Sequence, residues 1–189
     1  MMGCGFERDW GLGIQRDFAW GNAAASLTTG SGMPLYLKGN YLAAVRVSGG
    51  VLARDNFSFG ASVAAGDILE TMGNHLVNPE PLRFTAVAAD ATYLWRNLEN
   101  RVEVLAGRKA GESILLVFWR AGLNLLEEGR LKLEGQPSVT KTGDAWNWQL
   151  AGGVTYQITA DLAARSLVQY DQSRKDTRFV LQLYFYKGL

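Results

Sequence analysis

His75 is the only histidine of the 189-residue chain, and Cys4 its only cysteine. A zinc centre draws on several such side chains, so neither residue can complete one. The carboxylates Asp67, Glu70 and Glu80 flank His75 and could hold a cation, but around Met72-Gly73-Asn74 they read as the solvated surface of a loop. Ser62 and Ser166 are candidate nucleophiles, yet a hydrolase needs a base oriented by a third group, and His75 is the one imidazole on offer. Gly11-Leu12-Gly13 and Gly30-Ser31-Gly32 are too short to cradle a phosphate, and no helix of useful length follows either. These residues predict a protein that is not an enzyme and carries no metal or cofactor.

The elements that position the remaining charges are strands. Hydrophobic residues make up 48% of the chain, but the longest apolar run, Ile114 to Trp119, is far short of a membrane helix. Twenty-two glycines, six Trp, seven Tyr, eight Phe and only four Pro favour many strands joined by tight turns. The formal net charge of +1 gives no pull toward nucleic acid. Period-two alternation is cleanest from Trp146 to Ile158: Trp146, Trp148, Leu150, Gly152, Val154, Tyr156 and Ile158 share one face, and Asn147, Gln149, Ala151, Gly153, Thr155 and Gln157 the other. The same pattern predicts strands over 35–48, 57–65, 84–96, 101–109, 114–125, 130–136, 162–172 and 178–187, with two more at 9–15 and 18–28. That makes about eleven, within an expected 10 to 12, in a single all-β domain over 1–189.

Several of these strands reach ten residues, the 9 to 11 a tilted strand needs to cross a bilayer, where soluble strands are usually five or six. Trp95, Trp119, Trp146, Trp148, Tyr156, Tyr170 and Phe185 fall on the apolar faces, many near strand ends where a headgroup girdle would lie. Tight turns at 97–100, 127–129 and 159–161 alternate with longer links at 66–83, 137–145 and 173–177. Together these features predict an antiparallel, up-and-down transmembrane β-barrel of the bacterial outer membrane. The lack of an apolar leader before Cys4 implies either a leader already removed or an incomplete sequence, and an odd strand count predicts that at least one strand is missing upstream, so that the barrel needs more sequence or a partner chain to close.

The run GLGIQRDFAWGNAAASLTTGSG, the strand ending AAVRVSGG and the segment NFSFGASVAAGD resemble the middle of the phosphate-selective porin O and P family. RAGLNLLEEGRLKLEGQ, WNWQLAGGVTYQI, LAARSLVQYDQS and RFVLQLYFYKGL are similar to that family's closing strands. The resemblance implies a porin, here its C-terminal part, passing anions or phosphate.

If the apolar faces meet lipid, the polar faces carry the function. They place Lys38, Arg46, Arg96, Arg101, Lys109, Arg120, Arg130, Lys132, Arg165 and Arg178 against Asp90, Glu103, Glu134 and Asp171, ten basic residues to four acidic. Such a wall attracts anions. Individually these arginines also brace a wall by pairing with carboxylates, as Arg120 with Glu103. Arg16 and Arg108 fall on apolar faces, which predicts rim positions or a slipped register. The leading expectation is an outer-membrane diffusion porin with anion preference, in contact with lipid and small polar solutes and able to oligomerise. Two alternatives stand beside it. One is a barrel sheath around a partner such as a multihaem cytochrome, and the other is a soluble barrel with its faces reversed around an apolar ligand.

Overall fold

The computed structural model describes residues 9–32, 34–72 and 75–185. Eleven strands follow one another: β1 (Gly11–Phe18), β2 (Gly21–Thr28), β3 (Tyr41–Gly49), β4 (Phe57–Met72), β5 (His75–Trp95), β6 (Leu98–Lys109), β7 (Glu112–Leu125), β8 (Leu131–Thr142), β9 (Ala145–Gln157), β10 (Leu162–Asp171) and β11 (Asp176–Phe185). The only helical pieces among the described residues are α1 (Leu52–Asp55) and a 3-10 turn at Glu127–Gly129. Each strand lies beside its sequence neighbours, in the order β1 to β11. The chain is an antiparallel, up-and-down, all-β sheet, and each strand expected from alternation has a counterpart.

Two compact units divide the chain. One takes in the chain up to Gly50 with Phe59–Ala89 and Leu105–Ile114; the other takes in Val51–Ser58, Asp90–Val104 and the chain from Leu115 onward. In the first, the register sets Asn22 opposite Ser48, Ala24 opposite Arg46 and Arg46 opposite Ser62, so small and polar side chains share a face. Leu12, Ile14 and Phe18 project from the other. In the second, Lys132 stands opposite Thr155 and Thr155 opposite Arg165, while Leu133, Val154 and Ser166 form the neighbouring row on the reverse face. Trp146, Trp148, Leu150, Val154 and Tyr156 therefore project together, away from Lys132, Glu134 and Arg165.

Sequence reasoning underestimated the strands and overestimated the links. The expected long links at 66–83 and 137–145 are strand for most of their length, in the 16-residue β4, the 21-residue β5 and the 12-residue β8. The short-turn, long-loop contrast is therefore absent at these two places. β5 contains Pro79 and Pro81, but the Ala110 N–H donates to Arg83 O at 2.8 Å at the end of β6, so the prolines lie beyond the ladder that would need their missing N–H. β8 turns into β9 through Gly143 and Asp144, with Gly143 at φ +57°, and β6 into β7 through Ala110 and Gly111 at φ +52° and +85°. These are the left-handed conformations that two-residue hairpin turns require. The strand expected over 35–48 begins only at Tyr41. His75, expected in a loop, opens β5 and is exposed. Cys4 and the last four residues lie outside the described residues.

Residues 29–40 form a tied link between β2 and β3. The Asp9 carboxylate accepts from Thr29 Oγ1 at 2.7 Å and from Gly30 N at 2.6 Å. Ser31, almost fully buried, donates to Pro34 O at 2.7 Å, and buried Asn40 donates to Thr29 O and Tyr36 O while its Oδ1 accepts from Lys38 N. Gly30 O in turn accepts from Leu69 N on β4 at 2.9 Å.

The burial pattern is the reverse of a water-soluble sheet. In the first unit a small cluster of Leu42, Ile68, Phe84 and Ala86 is buried, with Ala64, Leu105 and Ile114 against it. Many large apolar side chains elsewhere are exposed: alternate residues of β11, Phe179, Leu181, Leu183 and Phe185, retain 65%, 66%, 70% and 73% of their accessible surface. Burying a side chain of this size stabilises a soluble fold by about 1.5–3 kcal/mol, a gain this face forgoes in water but not in hydrocarbon. No helix among the described residues is long and apolar enough to cross a membrane.

Candidate functional site

The polar face of the second unit carries a ladder of alternating charge. On β6, the two oxygens of Glu99 accept from Arg120 of β7 (Nη2 to Oε1, 2.8 Å) and Lys132 of β8 (Nζ to Oε2, 2.9 Å). Lys132 also reaches Glu134 Oε1 at 3.4 Å, and Glu134 Oε2 meets Arg165 Nη2 of β10 at 3.2 Å. Glu134 and Arg165 face each other across β9, where the residue opposite Glu134 is Gly153. Five groups on four strands are held in one strip, with three cations and two anions. The five groups keep 11–36% of their side-chain surface exposed.

Other expected residues are placed differently. Arg101 pairs with Glu103 two residues along β6, the spacing that puts strand side chains on one side. Arg120, expected beside Glu103, therefore finds its carboxylate in Glu99. Arg178 pairs with Asp176 at 3.0 Å. Asp171 closes the β10–β11 turn, accepting from Ser173 N, Ser173 Oγ and Arg174 N, and takes Gln149 Nε2 at 2.8 Å. Asp90 shares the polar face of its part of β5, and Arg46, flanked by Ala24 and Ser62, that of β3.

Three basic residues leave the expected wall. Lys38 lies in the link before β3, where no strand directs its side chain. Arg130 precedes β8; it donates to Gln157 O and Ile158 O, and its guanidinium lies 5.8 Å from the ring centre of Tyr156, an apolar-face residue. Arg96 sits in the β5–β6 turn, 5.7 Å from the Trp95 ring. Arg16 stands over Phe18 near the β1–β2 turn, and Arg108 is exposed beside the last residue of β6. Both therefore occupy strand ends, and their register does not slip.

Sequence reasoning missed the acids that answer these bases. Glu99 lay in an expected turn and Glu70 in an expected loop, so neither was counted on a face. Glu70 accepts from Lys109 in the first unit, where Asp17 also shares the polar face and takes Asn22 Nδ2 at 2.6 Å. The strand-borne bases of that unit, Arg46 and Lys109, stand against Asp17 and Glu70 and, by strand parity, Glu80 and Glu112. Those of the second, Arg101, Arg120, Lys132, Arg165 and Arg178, stand against Asp90, Glu99, Glu103, Glu134, Asp171 and Asp176. These strand-borne residues carry no basic excess. Among the described residues no cluster of His, Cys, Asp and Glu could hold a metal ion.

An up-and-down antiparallel sheet with exposed aromatics and aliphatics on one face and an ionic ladder on the other has the architecture of a porin-type fold. A porin refined at 1.8 Å resolution is similar to this chain with a TM-score of 0.72 and 11% sequence identity. The similarity covers 93% of this chain and 60% of the porin chain, so the chain spans about three fifths of the length of the protein it matches. No protein-family model matches the sequence, and no curated protein does.

Proposed function

We propose that this chain forms part of the wall of a passive diffusion channel in a bacterial outer membrane, admitting small hydrophilic solutes. The observation that carries the reading is the pairing of the two faces: large apolar side chains left exposed on one side, and Glu99, Arg120, Lys132, Glu134 and Arg165 gathered on the other. Hydrocarbon is the solvent that suits the first face and water the second. The porin-like fold supports the same reading. The soluble-binder alternative needs the large apolar groups turned inward, and the exposure of the β9 and β11 rows argues against it.

Within the ladder three cations outnumber two anions, although the strand-borne charges of the polar face as a whole carry no basic excess. The resemblance of the strands to phosphate-selective porins supports the same sign, so the channel prefers anions weakly. The test is reconstitution of the purified protein into a planar bilayer under a salt gradient. Stepwise conductance is expected, with a reversal potential on the anion-selective side that moves toward zero in Arg120→Gln and Arg165→Gln. A protein that inserts fully and never conducts would overturn the reading.

A further inference from the structure

We propose that Gly122 is a positioning residue that keeps the Lys132 ammonium folded flat against the wall, and that this placement limits the channel's preference for anions. The second half of the inference rests on the channel reading; the first half does not. Gly122 lies within β7, buried on the polar face, two residues from Arg120. Its φ is not in the left-handed region, so the backbone does not call for glycine. Glycine inside a strand forfeits packing and weakens the strand, which leaves close approach of another group as its use. That group is Lys132. A β-carbon at position 122 would stand 2.8 Å from Lys132 Cε, 3.5 Å from its Nζ and 3.9 Å from Glu134 Cγ.

The route of the lysine explains the contact. Lys132 springs from β8 and reaches Glu99 on β6, so its stem must cross β7. Neighbouring strands lie about 4.8 Å apart, so Lys132 and Glu99 together bridge two such steps, and the lysine stem runs over position 122 on the way. At Gly122 it passes low enough for its ammonium to sit between Glu99 and Glu134, at 2.9 and 3.4 Å. There its charge is compensated on both sides, and a passing anion feels little of it.

A methyl group at 122 pushes against the flexible end of a lysine and not against backbone, so the lysine yields. Glu99 keeps Arg120 and Glu134 keeps Arg165, so neither carboxylate is left without a cation. The ammonium moves off the wall toward the solutes, with the net charge unchanged.

The experiment uses the full chain with Gly122→Ala, with Gly122→Ser as a second variant should the first fail to fold. Amine acylation by a water-soluble reagent is read at Lys132 by peptide mass spectrometry, with Lys175 in the exposed β10–β11 turn as internal reference. A severalfold rise of the Lys132 to Lys175 ratio is expected in the folded variant; an unchanged ratio overturns the positioning role. In bilayers the reversal potential should shift further to the anion side in Gly122→Ala, and this shift should vanish when Lys132→Met is added. A shift that survives loss of the lysine overturns the assignment to Lys132. Raised acylation in a protein that never conducts would sink the channel reading and its selectivity consequence while upholding the placement of the lysine.

Discussion

The carboxylate of Glu99 accepts from two cations carried by two other strands, which makes it the hinge of the ionic ladder. These ion pairs keep 20–30% of their side-chain surface exposed, and at the value of surface pairs, about 0–1 kcal/mol each, their contribution to the fold is small. Their electrostatic effect on mobile ions does not shrink in proportion, since water-filled passages bring ions within a few ångströms of the charges. Glu99→Gln is therefore expected to leave thermal stability within about 1 kcal/mol of the parent. It should also strengthen anion preference, because Arg120 loses this carboxylate and Lys132 keeps only Glu134. Scanning calorimetry in detergent and the reversal potential under a salt gradient separate the two effects. A large loss of stability with unchanged selectivity would identify the ladder as bracing alone. These cations were legible from the sequence because alternation assigned each strand residue to a face. Glu99 and Glu70 were not, because residues placed in a turn or loop have no face to be assigned to.

At the scale of elements, the links are as tightly specified as the strands. Asn40 is buried and joins Thr29 O and Tyr36 O to Lys38 N, so Asn40→Ala removes the donor to both carbonyls at a cost of about 1–3 kcal/mol. The expected result is faster hydrogen exchange confined to residues 29–40 and the Leu69 amide, with β9 to β11 unchanged. Within α1, Asp55 accepts from the Arg54 guanidinium and from Val51 N, in that order of effect, and its pKa is lowered from 3.8 to about 2. The contribution of this turn is complete above the ordinary carboxylate pKa and is lost as the pH falls through the lowered one. NMR titration should place the Asp55 midpoint near about 2, returning toward 3.8 in Arg54→Ala. Strand existence was readable because period two persists wherever one face is apolar. Strand length was not, since Pro79, Pro81 and Pro137 carry the same breaker signal whether or not a neighbouring strand needs their N–H. Pro137 is paired in register with Leu150 in spite of it.

At the scale of the whole chain, the decisive question is which face meets hydrocarbon, and adjacent residues of β9 can answer it at equal depth. Leu150 belongs to the exposed apolar row with Trp148 and Val154, whereas Gln149, one residue earlier, lies opposite Ser138 and Asp171 on the polar face. Arginine near the membrane midplane of a lipid-facing strand costs about 2–4 kcal/mol. An arginine beside a carboxylate on a wetted face changes stability by about 1 kcal/mol or less. Leu150→Arg is therefore expected to lower the folding equilibrium in lipid vesicles by the larger amount, and Gln149→Arg, which gains Asp171 as partner, to leave it nearly unchanged. The measurement is a urea titration of vesicle-embedded protein followed by tryptophan fluorescence. In a soluble barrel with reversed faces, Leu150 would point into the core, but the protein would then fold without lipid and Leu150→Arg would act equally in plain buffer. Dependence of the Leu150→Arg penalty on the presence of a bilayer is thus the signature of a membrane-facing side chain, and its independence of lipid would end the channel interpretation.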